Sequence, residues 1–353
     1  MGNIMSQEIK AFSICIPAYN RARYLPDLLD SIFGQQFRDF EVVICEDRSP
    51  ERTQIAEIVR DYQARFPGYI AYHENEDNLG YDANLRTLVE RATGKFCFFM
   101  GNDDLLCPDA LEQVDDLLKR HQNVGVVLKG YAWFDHKPDK ISQEIRYFGE
   151  ERRFSPGPDA IGVCFRRSGV ISGYIVDREA ALAAATEKFD GTLYYQMHLT
   201  AAVLCDKAAV ATPNILVLCR NSEPPEFGNS SKERGRYVPG RYTPQARLSM
   251  IGGALSIIMD LKQTKGIDVV EQVRRDYANY FYLCIRDQLN LPLLEFLGMY
   301  RAFAKMGFYK YPMFHFYCFG AYLLGQSLCD RIIRSIRLRL GHSPQWGLGV
   351  CRR

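Results

Sequence analysis

The stretch Ser13-Ile14-Cys15-Ile16-Pro17-Ala18-Tyr19-Asn20-Arg21 decides the fold. An apolar run of strand length, Phe12 to Pro17, passes directly into a polar cluster. The same pattern returns twice. Glu41 to Cys45 is a strand that ends in Glu46-Asp47-Arg48-Ser49, and Phe96 to Met100 is a strand that ends in Gly101-Asn102-Asp103-Asp104. Between them Leu25 to Phe33, Thr53 to Arg65 and Ala83 to Arg91 carry apolar residues at helical spacing, and Ile70 to His73 is a further strand. Strands alternating with helices imply a mostly parallel sheet flanked by helices. Ligands of such sheets sit beyond the carboxyl ends of the strands. One Asp-Asp pair after a strand is commonly a turn or a helix cap. Three polar clusters at successive strand ends converge on one edge, which places a binding site there.

The chain has 353 residues, enough for about two domains of ~150 residues each. A Pro- and Gly-rich, charged loop from Asn221 to Pro244 separates the alternating half from an almost wholly helical one. The expected division is 1–235 and 236–353. Hydrophobic residues at 47% and charged residues at 24% exclude collagen-like and wholly disordered classes. A net charge of +2 gives no electrostatic case for nucleic acid. The charge is uneven, however: from Arg301 onward nine Lys and Arg residues face one acid, Asp330. The eleven cysteines form no C-x-x-C pair and several lie inside apolar runs, and the first residues carry no secretory signal pattern. A reduced, cytoplasmic protein without disulfides is therefore expected. The lack of a P-loop or G-x-G-x-x-G motif counts against an NTPase or a dinucleotide enzyme.

Ser13 to Arg21, Phe40 to Asp47, Asn78-Leu79-Gly80 with Asn84, Ala92 to Lys95, and Phe98 to Asp104 with Pro108 together resemble the family 2 glycosyltransferases in order and spacing. The resemblance covers roughly residues 11 to 220 and implies a GT-A fold, in which an α/β sheet binds a nucleotide-sugar donor. It implies that Pro17, Ala18, Tyr19, Asn20, Arg21, Gly80, Asn84 and Asn102 surround the donor nucleotide, and that Glu46 and Asp47 contact base and ribose. It also implies a divalent metal, Mg²⁺ or Mn²⁺, on the diphosphate. The family's Asp-x-Asp falls on Gly101-Asn102-Asp103, so one carboxylate is missing and Asp103 is the metal residue, with Asp104 in support. Mg²⁺ is commonly held by one or two carboxylates plus substrate phosphates.

Family members usually place an acidic base at the start of a helix after a second, glycine-containing strand. Gly169 to Gly173 and Ile175 to Arg178 look like that strand, but Leu193 to Gln196 holds no acid. Asp190 is the nearest carboxylate and the expected catalytic base, with Glu187 and His198 behind it.

In the second half, Arg247 to Leu261, Val269 to Leu289 and Leu293 to Met306 have apolar helical faces. Tyr311 to Leu328 carries no formal charge and is crowded with Phe and Tyr, and Arg331, Arg334, Arg337 and Arg339 follow. Pro312, His315 and Gln326 make it a poor membrane span, so an interfacial segment on an anionic cytoplasmic surface is expected. The expected activity is inverting sugar transfer from a nucleotide sugar to a glycan acceptor, lipid-linked, in O-antigen or capsule assembly of the abequosyltransferase-like type. The alternative is a non-catalytic module that binds sugar nucleotides or glycan through a degenerate metal motif.

Overall fold

The computed structural model describes residues 9–344. Arg352 and Arg353, part of the basic C-terminal excess, and the residues read for a signal pattern before position 9 lie outside it. Strands β1 (Phe12–Ala18), β2 (Phe40–Glu46), β3 (Ile70–Glu74) and β4 (Phe96–Phe99) alternate with helices α1 (Leu25–Phe33), α2 (Arg52–Arg65) and α3 (Tyr81–Arg91). These four strands pair in parallel in the order β3-β2-β1-β4.

Alternation along each strand explains why both faces are covered. Phe12, Ile14 and Ile16 of β1 and Phe40, Val42 and Ile44 of β2 join one apolar cluster with Leu28, Leu29 and Ile32 of α1 and Ile55 and Val59 of α2. Their neighbours Cys15, Val43 and Cys45 point the other way and join a second cluster with Leu85, Leu88 and Val89 of α3. A side-chain period of two thus gives one strand two cores.

Next come β5 (Leu105–Leu106), α4 (Ala110–Arg120), β6 (Val124–Phe134), β7 (Ile141–Ile145), β8 (Arg152–Phe154), α5 (Pro158–Cys164), β9 (Tyr174–Asp177), α6 (Arg178–Ala183), α7 (Tyr195–Val203) and β10 (Ala208–Arg220). The sheet has ten strands, with β9 running antiparallel between β4 and β6. The first four strands are parallel, as in the mostly parallel sheet expected, and the complete sheet is mixed. The reversal follows from β9 entering through the tight turn at Gly173, whose N–H donates to the carbonyl of Phe99 at 2.8 Å. As a result the start of β9 lies at the same edge as the end of β4.

Helices α8 (Pro244–Lys265), α9 (Val270–Asn279), α10 (Tyr282–Ile285), α11 (Leu293–Lys305), α12 (Pro312–Leu324) and α13 (Gln326–Leu340) complete the chain. Thr243 caps α8, its Oγ1 accepting from the N–H of Ala246 at 3.1 Å, with Pro244 at the first helical position. Ile251, Ile258, Phe281, Phe303 and Phe314 belong to the same cluster as Cys15 and Val43, so these helices share a core with the sheet. The uncharged run expected over 311–328 is two helices, because Gly325 adopts φ +74 and ends α12. No helix among the described residues is long and apolar enough to cross a membrane.

Candidate functional site

A cleft of about 430 Å³ opens at the carboxyl ends of β1, β2 and β4, roofed by the 221–243 segment. Pro17, Tyr19, Arg21, Asp47, Gly80, Asn84, Asn102, Asp103 and Asp104 all line it. The three polar clusters therefore meet as the strand ends imply.

Asp47 occupies one end of the cleft. Its carboxylate accepts the N–H groups of Leu79 and Gly80, each at 2.9 Å, and the side-chain amide of Asn75 at 2.8 Å. Burial pushes its pKa up to about 6, against the pull of those donors. Asn84 braces the wall, donating to the carbonyl of Cys45 at 3.1 Å and accepting from Asn75 at 3.0 Å. Gly80 has φ +85, and a Cβ there would lie 2.4 Å from Ser230 Oγ of the roof. Only glycine serves at this position.

Glu46 does not share the site. Its fully buried carboxylate accepts from the N–H groups of Ser49 at 2.6 Å and Arg48 at 3.1 Å and pairs with Arg52. Consecutive strand residues point to opposite sides, so Glu46 closes the loop after β2 while Asp47 faces the cleft. Ala18 is likewise a core residue at 0% exposure. Asn20 donates its side-chain amide to Glu226 of the roof at 3.3 Å, and its carbonyl accepts from Asn102 at 2.8 Å.

Asp103 and Asp104 form the other end. Asn20 and Arg21 both adopt left-handed backbone, with φ 52 and 61, a cost accepted where a side chain must be aimed. Arg21 Nη1 reaches Asp103 Oδ2 at 2.7 Å, and Nη2 donates to the carbonyl of Pro224 at 2.6 Å. Burial raises the Asp103 pKa, while Arg21 and then Arg220 oppose the rise. Asp104 accepts from the Ser172 hydroxyl and from the N–H of Arg220 at 2.7 Å. Burial and the charge of Asp103 push it up to about 7. Arg220 lies 3.9 Å from the Tyr24 ring centroid and donates through Nε to the carbonyl of Asp103 at 3.1 Å. No group of three or more His, Cys, Asp or Glu poised to hold a metal occurs among the described residues. The arrangement fits a cation that brings most of its ligands with a diphosphate. Asp103 is a desolvated carboxylate facing the cleft and already drawn to a positive charge, while both oxygens of Asp104 are engaged.

Asp190 is not in the cleft. It forms a two-pronged ion pair with Arg86, at 2.6 and 3.2 Å, and its side chain is 4% exposed. A carboxylate buried against a guanidinium is an anchor for the 184–195 segment rather than a base. Asp190→Ala is expected to lower stability by about 3 kcal/mol, the low end for breaking a buried pair, with turnover per folded molecule retained. Thermal unfolding beside a rate assay checks this. The neighbouring Asp82, pushed up to about 7 by burial, holds the N–H groups of Leu193 and Tyr195 at 2.8 and 2.9 Å.

The sequence reading missed the roof. Glu223 accepts from Arg23 at 2.9 Å and from the Tyr24 hydroxyl at 2.5 Å. Glu233 accepts the N–H of Tyr81 at 2.7 Å and of Gly228 at 2.8 Å. Glu226 lines the cleft, and among the described residues its carboxylate accepts one hydrogen bond, from the Asn20 amide. Every other cleft carboxylate is held by two or more donors or by an arginine. Tyr242 and Met250 also line the cleft from beyond residue 235, so the site draws on both sides of the expected division. Three glutamates in a Pro-rich loop were the available signal.

The Glycosyl transferase family 2 model matches residues 13–175. Over 99 residues the chain is 35% identical to the abequosyltransferase RfbV of Salmonella typhimurium, a match covering 28% of this chain and 30% of that one. Matches span about a third to a half of the length of the first curated relatives. In overall fold it is similar to S. aureus TarS 1–349 in complex with UDP-GlcNAc, with a TM-score of 0.60 at 17% identity over 95% of this chain and 93% of that one. It is also similar to the mannosyltransferase PcManGT of Pyrobaculum calidifontis in complex with GDP-Man and Mn²⁺, with a TM-score of 0.52 at 15% identity over 92% and 88%.

Proposed function

We propose that the chain moves one sugar, with inversion, from a nucleoside diphosphate donor to a lipid-linked glycan acceptor during bacterial surface polysaccharide synthesis, a reading supported by the match of residues 13–175 to the Glycosyl transferase family 2 model. The carrying observation is one cleft with Asp47 at one end and the paired Arg21 and Asp103 at the other; the reading assigns the nucleoside to the first and the diphosphate to the second. The donors present in the TarS and PcManGT structures support that reading. Work at the cytoplasmic face of a membrane belongs to the same reading, since a lipid-linked acceptor is presented there.

Asp47 accepts donor groups of the base or ribose, and Arg21 and Arg220 answer the charge of the diphosphate. Asp103 would hold the divalent cation, with Asp104 behind it; when bound, the cation supplies further neutralisation of the leaving group. The acceptor oxygen forms its bond to the anomeric carbon as the bond to the β-phosphate oxygen breaks. The nucleoside diphosphate leaves with that electron pair, and the acceptor proton passes to Glu226, the least engaged carboxylate in the cleft.

Asp47→Ala tests the reading. Nucleotide affinity, measured by calorimetry across a panel of nucleoside diphosphates, is expected to fall at least ~10-fold, as for loss of a hydrogen bond to a charged group. Unchanged affinity in a folded variant would remove Asp47 from the donor site. Its raised pKa fixes a pH dependence as well: protonation removes the charge and turns one accepting oxygen into an O–H donor, so wild-type affinity should weaken as pH falls through 6. The variant should lose that dependence.

A sugar-nucleotide-binding module without turnover is favoured by one observation, glycine at position 101 where the family's first metal carboxylate falls. Tight nucleotide binding with no sugar transfer or donor hydrolysis under any cation would decide for it.

A further inference from the structure

Of seventeen exposed large hydrophobic side chains among the described residues, twelve lie between 293 and 340. They are ordered. On α12, Phe316, Phe319 and Leu323 follow one another at steps of three and four, and Leu323 is 85% exposed. On α13, Leu328, Ile332 and Ile336 recur every four residues. Such spacing makes one stripe per helix. The opposite side of α12 is satisfied, with Phe314, Cys318 and Ala321 buried in the shared core, and α13 buries Cys329 beside its stripe. The outer stripes are therefore surplus to folding.

Charge narrows the occupant. Arg331, Arg334 and Arg339 on α13 are exposed, and none has a carboxylate within ion-pair distance among the described residues. The acid of the segment, Asp330, is clamped by Arg286 at 2.7 Å. Two copies of the chain meeting through this face about a two-fold axis would set arginines against arginines. An anionic lipid surface pairs with them and also takes the aromatic and aliphatic stripes into its headgroup boundary.

We propose that α12 and α13 form a docking surface for an anionic bilayer, lying on it rather than through it. This deepens the membrane placement above and rests on no step of sugar transfer.

The test is co-sedimentation of the full chain with vesicles of phosphatidylcholine alone or mixed with phosphatidylglycerol, with nucleotide affinity measured in parallel. Recovery is expected with the anionic vesicles, with a steep fall as salt shortens the screening length. The triple variant Arg331→Glu, Arg334→Glu, Arg339→Glu should bind them about 100-fold more weakly, and Phe316→Gln with Leu323→Gln should do likewise, since the stripes and the arginines act together. Both variants alter exposed side chains and should keep wild-type nucleotide affinity. Should a variant lose that affinity through misfolding, the salt and lipid dependence of the wild type decides alone. Absence of wild-type recovery with anionic vesicles, or equal recovery with neutral ones, would overturn the proposal. So would a wild-type dimer in solution that the Phe316 and Leu323 changes convert to monomer, because a second copy would then cover the face. Loss of nucleotide binding with vesicle binding intact would fault the donor site and leave this surface standing.

Discussion

Asp103→Asn is expected to reduce sugar transfer by about 1000-fold while the chain stays folded, the upper range for removing one electrostatic stabiliser. Asp103 is the cleft carboxylate that pairs with Arg21 at 2.7 Å, at the end where the proposal puts the diphosphate. Asparagine keeps the shape and removes the charge. Burial already raises the pKa of this carboxyl, so a neutral isostere costs little, and Arg21 retains the Pro224 carbonyl. Unfolding temperature should therefore stay near wild type while turnover of a labelled donor collapses. A readout without turnover accompanies it: Mg²⁺ or Mn²⁺ should strengthen binding of a nucleoside diphosphate to the wild type, and that strengthening should vanish in the variant. Retained turnover, or cation dependence that survives the substitution, would take Asp103 out of the diphosphate site.

Glu226→Gln should cut transfer by at least ~100-fold with nucleotide affinity unchanged, the low end for losing a general base. The amide can keep a contact with Asn20 but has no basic oxygen for the acceptor's proton. Single-turnover kinetics with bound donor separate this from a binding defect. If Glu226 only held the roof in place, Glu226→Gln would change affinity and leave the bound-state rate alone. A variant with normal rates would take the proton-accepting role away from Glu226.

Local pattern made the strand ends readable. Phe12 to Ala18, Phe40 to Glu46 and Phe96 to Phe99 are apolar runs bounded by polar residues, and each delivers its cluster where a sheet edge requires. What escaped depended on partners far along the chain. Asp190 looked available in sequence, yet its fate is set by Arg86, 104 residues earlier. Glu46 and Asp47 are adjacent acids of similar appearance, and the two-residue period of a strand could have told them apart. The uncharged segment reads as interfacial, and α12 exposes apolar side chains on its outer side while its inner side is buried in the core shared with the sheet, a division that no local pattern separates. No local rule draws Glu226 to the cleft, because a loop without periodicity gives no direction to its side chains.

The roof also dates the site within folding. Its fastenings join Asn20 to Glu226, Arg21 to Pro224 and Arg23 to Glu223, pairs 206, 203 and 200 residues apart, and Tyr81 to Glu233, 152 apart. Contacts across such separations close late, since the chain entropy of the intervening loop must be given up before they form. The β1–β4 layer can assemble from neighbouring segments, but the roofed cleft cannot form until residues as far as Glu233 have been synthesised and have returned across the strand ends. During synthesis on the ribosome the strand ends would thus stand open until the 221–243 segment has emerged and folded back, and a chain stopped short of Glu233 would keep the β1–β4 layer but lack the roof.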